Sequence, residues 1–185
     1  MAAPRVVLLD RDGVINEDSP DYIRTPADWQ PIPGSLEAIA ELCAASFAVA
    51  VCTNQAGVAR GLLSRADLEA IHRRMETEVS RHGGRLAGIF FCPHGPEECC
   101  DCRKPAPGLL HQAARALGID LADVPYIGDS GRDLEAARRA GARPVLVLTG
   151  NGRETLEKEN PDCEVYDDLA RAARAILDGR AERDD

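Results

Sequence analysis

The run Val6-Val7-Leu8-Leu9 ends on two carboxylates, Asp10 and Asp12, with Gly13 directly behind them. An unbroken apolar stretch of this length predicts a strand buried on both faces, as in a parallel sheet. Open α/β sheets take their ligands beyond the carboxyl ends of the strands. Asp10 then belongs at a strand tip and Asp12 in the loop after it, where Gly13 lets the chain turn. Two acids one residue apart at the mouth of a sheet repel each other and resist burial. A divalent cation relieves that repulsion and leaves one carboxylate free to act as a nucleophile.

Strands and helices alternate down the rest of the chain. Residues 14–33 carry Pro20, Pro26, Pro31 and Pro33, show no period, and read as a flap over the first strand's tip. Pro33-Gly34-Ser35 opens a helix with Leu36, Ile39, Ala40 and Leu42 on its apolar face. Phe47 to Cys52 predicts a second strand, which runs out at Thr53-Asn54-Gln55-Ala56-Gly57. Ser64 with Asp67 resembles a capping box and starts a helix to about His82, with Leu68, Ile71, Met75 and Val79 in register. Ile89 to Phe91 predicts a third strand, leading into a loop from Cys92 to Pro107. A helix from Gly108 to Leu117 is closed by Gly118, and Tyr126-Ile127-Gly128 is a short strand delivering Asp129. Asp133 to Ala140 is a helix closed by Gly141, Pro144 to Leu148 a strand, Glu164-Val165 an edge strand and Leu169 to Leu177 the last helix. The expected fold is one doubly wound, Rossmann-like parallel α/β domain over residues 1–178, with a small flap and no large cap. Residues 179–185 read as a charged, disordered tail. His72, His82 and His111 read as surface or interface residues on helices, and Cys43, Cys52 and Cys163 as small core or near-surface residues.

The formal net charge is -9 and no basic run exceeds two residues, which argues against non-specific nucleic-acid binding. No apolar stretch approaches the length of a membrane span, and Met1 to Arg5 contains no signal-peptide core, so a cytoplasmic protein is expected. Of the seven cysteines, Cys92, Cys99, Cys100 and Cys102 are clustered. In a chain without an export signal, that clustering reads as a metal site before it reads as disulfides. Cys92-Pro93-His94 and Cys100-Asp101-Cys102 form C-x-H and C-x-C pairs, and three thiolates with one imidazole suit tetrahedral structural zinc. Cys99 rivals Cys100, but Cys100 pairs with Cys102 across one residue as Cys92 pairs with His94.

Strand ends therefore carry Asp10 with Asp12, Thr53 with Asn54, and Asp129 with Asp133 one turn on, while Lys104 arrives from a loop. Taken singly, Thr53-Asn54 reads as a turn, Lys104 as a solvated lysine and Gly128-Asp129-Ser130 as a helix cap. Together, on one edge of one sheet, they suit phosphoryl transfer. Asp10 attacks phosphorus; Asp12 protonates the leaving alcohol and then activates water. Thr53 and the Asn54 amide bond the transferring oxygens, Lys104 neutralises their charge, and Asp10 with Asp129 holds Mg²⁺, its shell oriented by Asp133. Arg103, beside Lys104 after the last zinc ligand, has a guanidinium fork suited to a second phosphate.

Four stretches resemble the motifs of the haloacid dehalogenase (HAD) superfamily: Asp10-Arg11-Asp12-Gly13-Val14-Ile15-Asn16, Thr53 to Gly61, Cys102-Arg103-Lys104-Pro105 and Gly128-Asp129-Ser130. More narrowly, Thr53 to Gly61 and the cysteine loop resemble those of the D-glycero-D-manno-heptose-1,7-bisphosphate 7-phosphatases, over about residues 5–177. Val14 stands where that family often has Thr, and the flap at Asp18 to Tyr22 is slightly longer. The resemblance implies a HAD-like fold and a phosphoric monoester hydrolase. It would remove the 7-phosphate of a heptose bisphosphate on the route to nucleotide-activated heptose, with Mg²⁺ and Zn²⁺ as cofactors. It also implies substrate contacts from Asp18, Tyr22, Asn54, Gln55, Ala56 and Arg103, adds Asp12 to the Mg²⁺ residues, and supports Cys92, His94, Cys100 and Cys102 as the zinc set. The expected partner is a small sugar bisphosphate, not nucleic acid or membrane, and the expected state is a monomer. Rival readings are a histidinol-phosphate phosphatase, whose cationic substrate Glu17, Asp18 and Asp21 would suit, and a zinc-loop interaction module with a dead core.

Overall fold

The computed structural model describes residues 5–181. Its elements are β1 (Arg5–Leu9), α1 (Ser35–Ala44), β2 (Phe47–Asn54), α2 (Arg65–Arg81), β3 (Leu86–Cys92) and α3 (Gly108–Leu117). They continue with β4 (Pro125–Gly128), α4 (Gly131–Ala140), β5 (Arg143–Val147), α5 (Gly152–Glu159), β6 (Glu164–Tyr166) and α6 (Leu169–Ala181). The strands form one sheet in the order β3-β2-β1-β4-β5-β6, and every neighbouring pair is parallel. The connections step one way from β1 and the other way from β4. The switch point, where such sheets bind ligands, therefore lies between the ends of β1 and β4.

The alternation of β1 places it in the middle of the molecule. Val7 and Leu9 join the core with Leu36, Ile39 and Leu42 of α1, Leu68 and Ile71 of α2 and Ala172 of α6. Val6 and Leu8 pack the other way, with Leu109 and Ala113 of α3 and Ala136 and Ala137 of α4. The reciprocal Ser64–Asp67 cap forms as expected: Asp67 N–H donates to Ser64 Oγ at 3.1 Å, and Ser64 N–H donates to the Asp67 carboxylate at 2.8 Å.

Several boundaries differ from expectation. β2 continues through Thr53 and Asn54, which pair with Phe91 and Cys92, so both are strand residues and not a turn. α5 has no counterpart in the sequence reading. It buries only Gly152 and Thr155, so it has no apolar stripe to detect. α6 runs to Ala181, so residues 179–181 are helical and not tail; residues 182–185 lie outside the described residues. His72 is a correction: it is 6% exposed, facing the sheet. The flap is pinned from within. Wholly buried Trp29 donates from Nε1 to Asn16 Oδ1 at 2.9 Å, and Ser35 Oγ donates to the Ile15 carbonyl at 2.7 Å.

Candidate active site

Lys104 organises the floor of the site. Although 2% exposed, its ammonium lies 2.9 Å from Asp10 Oδ1, 2.6 Å from Asp133 Oδ1, 2.8 Å from the Tyr126 hydroxyl and 3.1 Å from the Cys52 carbonyl. Its main chain is clamped by Asn54, which donates from Nδ2 to the Lys104 carbonyl and accepts from its N–H, each at 3.1 Å. The Asn54 amide thus locks the lysine's loop to β2, a role not read from the sequence, and Nδ2 keeps a second N–H beyond the one it gives to that loop. Asp10 Oδ1 also accepts from the Arg11 N–H at 2.7 Å.

Asp129 faces this cluster from the end of β4. Its Oδ2 accepts from the main-chain N–H of Asn151 at 2.7 Å and from Asn151 Nδ2 at 3.0 Å. Two loops close on it through glycines at positive φ. A Cβ at Gly13 (φ 80) or Gly150 (φ 54) would stand 2.1 or 2.2 Å from Asp129 Oδ2. Carboxylate oxygens of Asp10, Asp129 and Asp133 lie within 4.8 Å of one another. Burial raises the pKa of Asp10 to about 7, with Lys104 opposing and Asp133 adding to it; burial, Asp133 and Asp10 raise Asp129 to about 8. Burial disfavours a charged Lys104, but Asp10 and Asp133 outweigh it and hold its pKa above the usual range. Three carboxylates against one ammonium leave an excess of negative charge, and hard oxygen donors so gathered fit Mg²⁺. The Asp12 side chain stands outside this carboxylate group, whereas Asp133, expected to orient the metal's shell, has its carboxylate inside it.

Asp12 is engaged elsewhere. Its Oδ1 accepts from Arg11 Nε and Asn16 Nδ2, each at 2.9 Å; its Oδ2 accepts from Arg11 Nη2 at 3.0 Å and Gln55 Nε2 at 2.9 Å. Burial would raise its pKa, but the Arg11 charge and these bonds outweigh it and hold the carboxyl below the usual range. Arg11 is itself 1% exposed, and it also donates from Nη2 to Gln55 Oε1 at 3.0 Å and from Nη1 to His72 Nε2 at 3.3 Å. Burial, then the neighbouring guanidinium, lower the pKa of His72 to about 3, so its imidazole is neutral. Gln55 Nε2 further donates to Thr53 Oγ1 at 2.9 Å.

A cavity of about 310 Å³ opens above Asp10 and is lined by every residue assigned to catalysis or substrate binding: Asp12, Asp18, Tyr22, Thr53, Asn54, Gln55, Ala56, Arg103 and Lys104. Asp18 accepts from Asn151 Nδ2 at 3.2 Å, and the Tyr22 ring lies 5.6 Å beneath the Arg60 guanidinium. Arg103 Nη1 donates to the carbonyl of His94 at 3.1 Å. Arg11, Arg60, Arg132 and Asn151 also line the cavity and were given no role from the sequence. A signal existed for Arg11, an arginine flanked by two site aspartates at a strand tip, which must itself be buried and paired. Asn151 lies in a stretch with no period to place it.

Beside the cavity, Cys92 Sγ lies 3.4 Å from His94 Nδ1 and 3.7 Å from Cys100 Sγ; Cys102 Sγ lies 3.3 Å from His94 Nδ1 and 3.6 Å from Cys100 Sγ. Zinc–sulfur and zinc–nitrogen bond lengths give a coordination tetrahedron edges of roughly 3.6–3.8 Å, so the four atoms already stand as zinc ligands would. Burial and the neighbouring thiols push Cys102 up to about 12, a crowding that a bound cation removes. Cys99 is exposed and outside this group.

Residues 101–172 match the family model Hydrolase_like, described as HAD-hydrolase-like. The chain is 52% identical over 174 residues, 94% of its length and 99% of the relative's, to the D-glycero-beta-D-manno-heptose-1,7-bisphosphate 7-phosphatase of Pseudomonas putida. It is 49% identical over 175 residues, 94% and 98% of the two lengths, to the enzyme of the same name from Bordetella bronchiseptica. The crystal structure of D,D-heptose 1,7-bisphosphate phosphatase from B. bronchiseptica, complexed with magnesium and phosphate, superimposes with a TM-score of 0.92 at 48% identity, covering 95% of this chain and 99% of that one. The counterpart from Burkholderia thailandensis gives 0.75 at 40% identity, covering 94% and 98%. With the strand-end acids, the lysine and the cysteine loop all in place, the chain belongs to the D-glycero-beta-D-manno-heptose-1,7-bisphosphate 7-phosphatase family of HAD-like hydrolases.

Proposed function

We propose that this chain hydrolyses the 7-phosphate of D-glycero-β-D-manno-heptose 1,7-bisphosphate through an aspartyl-phosphate on Asp10. The observation that carries the mechanism is the setting of Asp10. One oxygen is held by the Lys104 ammonium and the Arg11 N–H, while its carboxylate faces a cavity sized for a small sugar phosphate. Held this way, Asp10 presents an oxygen in line with phosphorus and forms the new P–O bond as the bond to the C7 oxygen breaks. Asp12, ionised in the free site, takes up a proton as the anionic phosphate enters, gives it to the departing C7 oxygen, then takes one from the water that cleaves the aspartyl-phosphate. Thr53 and Lys104 meet the oxygens of the transferring group. Asp10, Asp129 and Asp133 would hold Mg²⁺, which when bound neutralises charge on the phosphoryl group.

Cys92, His94, Cys100 and Cys102 would hold Zn²⁺. That metal would fix the loop so that Arg103, Lys104 and the 1-phosphate face one another. Among the described residues no helix is long and apolar enough to cross a membrane; a cytoplasmic enzyme with a small sugar bisphosphate as its partner completes the reading. The test is phosphate release from both anomers of the heptose bisphosphate and from histidinol phosphate, with products read by phosphorus NMR. The β anomer should have the highest kcat/KM and leave the heptose 1-phosphate. A higher value for histidinol phosphate would reject the substrate.

A further inference from the structure

Arg11 is a charge buried at the tip of β1, with the cavity on one side and α2 on the other. Its fork reaches both oxygens of Asp12, and its Nη2 also reaches Gln55 Oε1. Its remaining terminal nitrogen, Nη1, points to His72 Nε2 on α2. An arginine has five donors and no acceptor, so His72 must accept here, and its ring is the tautomer with the proton on Nδ1. His72 is oriented in turn by an edge-on contact with Phe91 of β3, ring centroids 5.6 Å apart. A helix and a strand from the packed core therefore fix the plane of the guanidinium, and the guanidinium fixes the plane of the Asp12 carboxylate.

We propose that Arg11 and His72 are positioning residues for proton transfer, a two-residue brace that aims Asp12 at the leaving oxygen. Neither need touch the substrate. Asn16 and Gln55 each hold one oxygen of Asp12, whereas Arg11 holds both. Either amide can yield its place to a proton or to the C7 oxygen while the carboxylate keeps its plane. The inference rests on Asp12 being the acid, and the test separates the two.

An alkoxide leaving group needs the proton and p-nitrophenolate does not. Measured as kcat/KM, which reports steps up to formation of the aspartyl-phosphate, Asp12→Asn should cost the heptose bisphosphate far more than p-nitrophenyl phosphate. His72→Leu leaves Arg11 Nη1 without its acceptor. It should lower kcat/KM for the heptose bisphosphate about tenfold, with p-nitrophenyl phosphate changed less than twofold. His72→Gln, which restores an acceptor, should recover most of the loss, and Arg11→Met should show the same leaving-group bias more strongly. Thermal melts of the metal-loaded proteins establish that each variant is folded. Equal losses on both substrates, or a His72→Leu enzyme at wild-type activity on the bisphosphate, would overturn the brace. Absence of leaving-group bias in Asp12→Asn itself would instead remove the acid assignment beneath it.

Discussion

Asp10 and Asp12, with one residue between them, live in opposite electrostatic worlds. Asp10 is crowded by carboxylates and raised to about 7, while Asp12 is wrapped by Arg11, Asn16 and Gln55 and lowered. The difference fits a nucleophile whose charge is completed by a metal and an acid–base group held by fixed dipoles. Asp10→Asn should abolish turnover while the fold and the zinc content persist, because an amide cannot form the phosphoryl ester. Asp12→Asn should retain a residue of activity, down by roughly the 10²–10⁴-fold of general acid–base catalysis. Turnover of Asp10→Asn near the wild-type rate would reject the mechanism. His72 gives a separate prediction. It is lowered to about 3 by burial and by Arg11, against about 6.5 when unfolded, so between those values the unfolded chain binds the extra proton. Stability is then intact above about pH 6.5 and falls as pH drops through that window, by up to about 1.4 kcal/mol per pH unit from this one group. Urea unfolding of wild type and His72→Gln at pH 7 and 4.5 reads it. The variant should lose less stability than wild type on acidification, and identical losses would contradict a buried neutral His72.

At the scale of elements, what could be read beforehand was whatever repeats or terminates. β1, β2, α2, α3 and α4 were legible because apolar faces, caps and closing glycines mark them, and the site acids because they follow buried strands. The chain conceals what has no period. α5 buries only a glycine and a threonine, yet Thr155 Oγ1 donates to the Asp129 carbonyl at 3.0 Å, and Asn151, just before α5, holds that side chain. Partners of a site residue such as Asn151, His72 and Tyr126 are far from it in sequence, so only the closed fold reveals them. The cysteine loop was the reverse: the four side chains that the structure gathers, Cys92, His94, Cys100 and Cys102, stand on one short segment. Cys100→Ser should lose most of the zinc, which elemental analysis should find at about one per chain in the wild type, while Cys99→Ser keeps it. Mild chelation should stop catalysis reversibly by removing Mg²⁺ while the thiolate-held zinc stays. Zinc lost with Cys99→Ser and kept with Cys100→Ser would reverse the ligand assignment.

The molecule as a whole carries a net charge of -9 and must bind a substrate bearing two phosphates. Bulk electrostatics oppose that, so the cavity has to reverse the sign locally. Arg11, Arg60, Arg103, Lys104 and Arg132 line it and offset its five aspartates, so bound Mg²⁺ would tip the wall positive towards an entering anion. These cations are not equivalent. Lys104 is buried among Asp10 and Asp133, on the proposed mechanism beside the reacting phosphate, whereas Arg103 is carried by the cysteine loop and donates to the carbonyl of His94. That tether holds the guanidinium near the cavity without neutralising it, so its charge remains for the phosphate that does not react. Arg103→Ala should therefore cost the bisphosphate on the order of 1.5–3 kcal/mol in kcat/KM, as for a hydrogen bond to a charged group, and a simple monophosphate much less. The same variant should flatten the fall of kcat/KM with added salt for the bisphosphate, because screening acts on the charge that has been removed. An equal loss on both substrates, with an unchanged salt dependence, would mean that Arg103 braces the loop and that the second phosphate is received elsewhere.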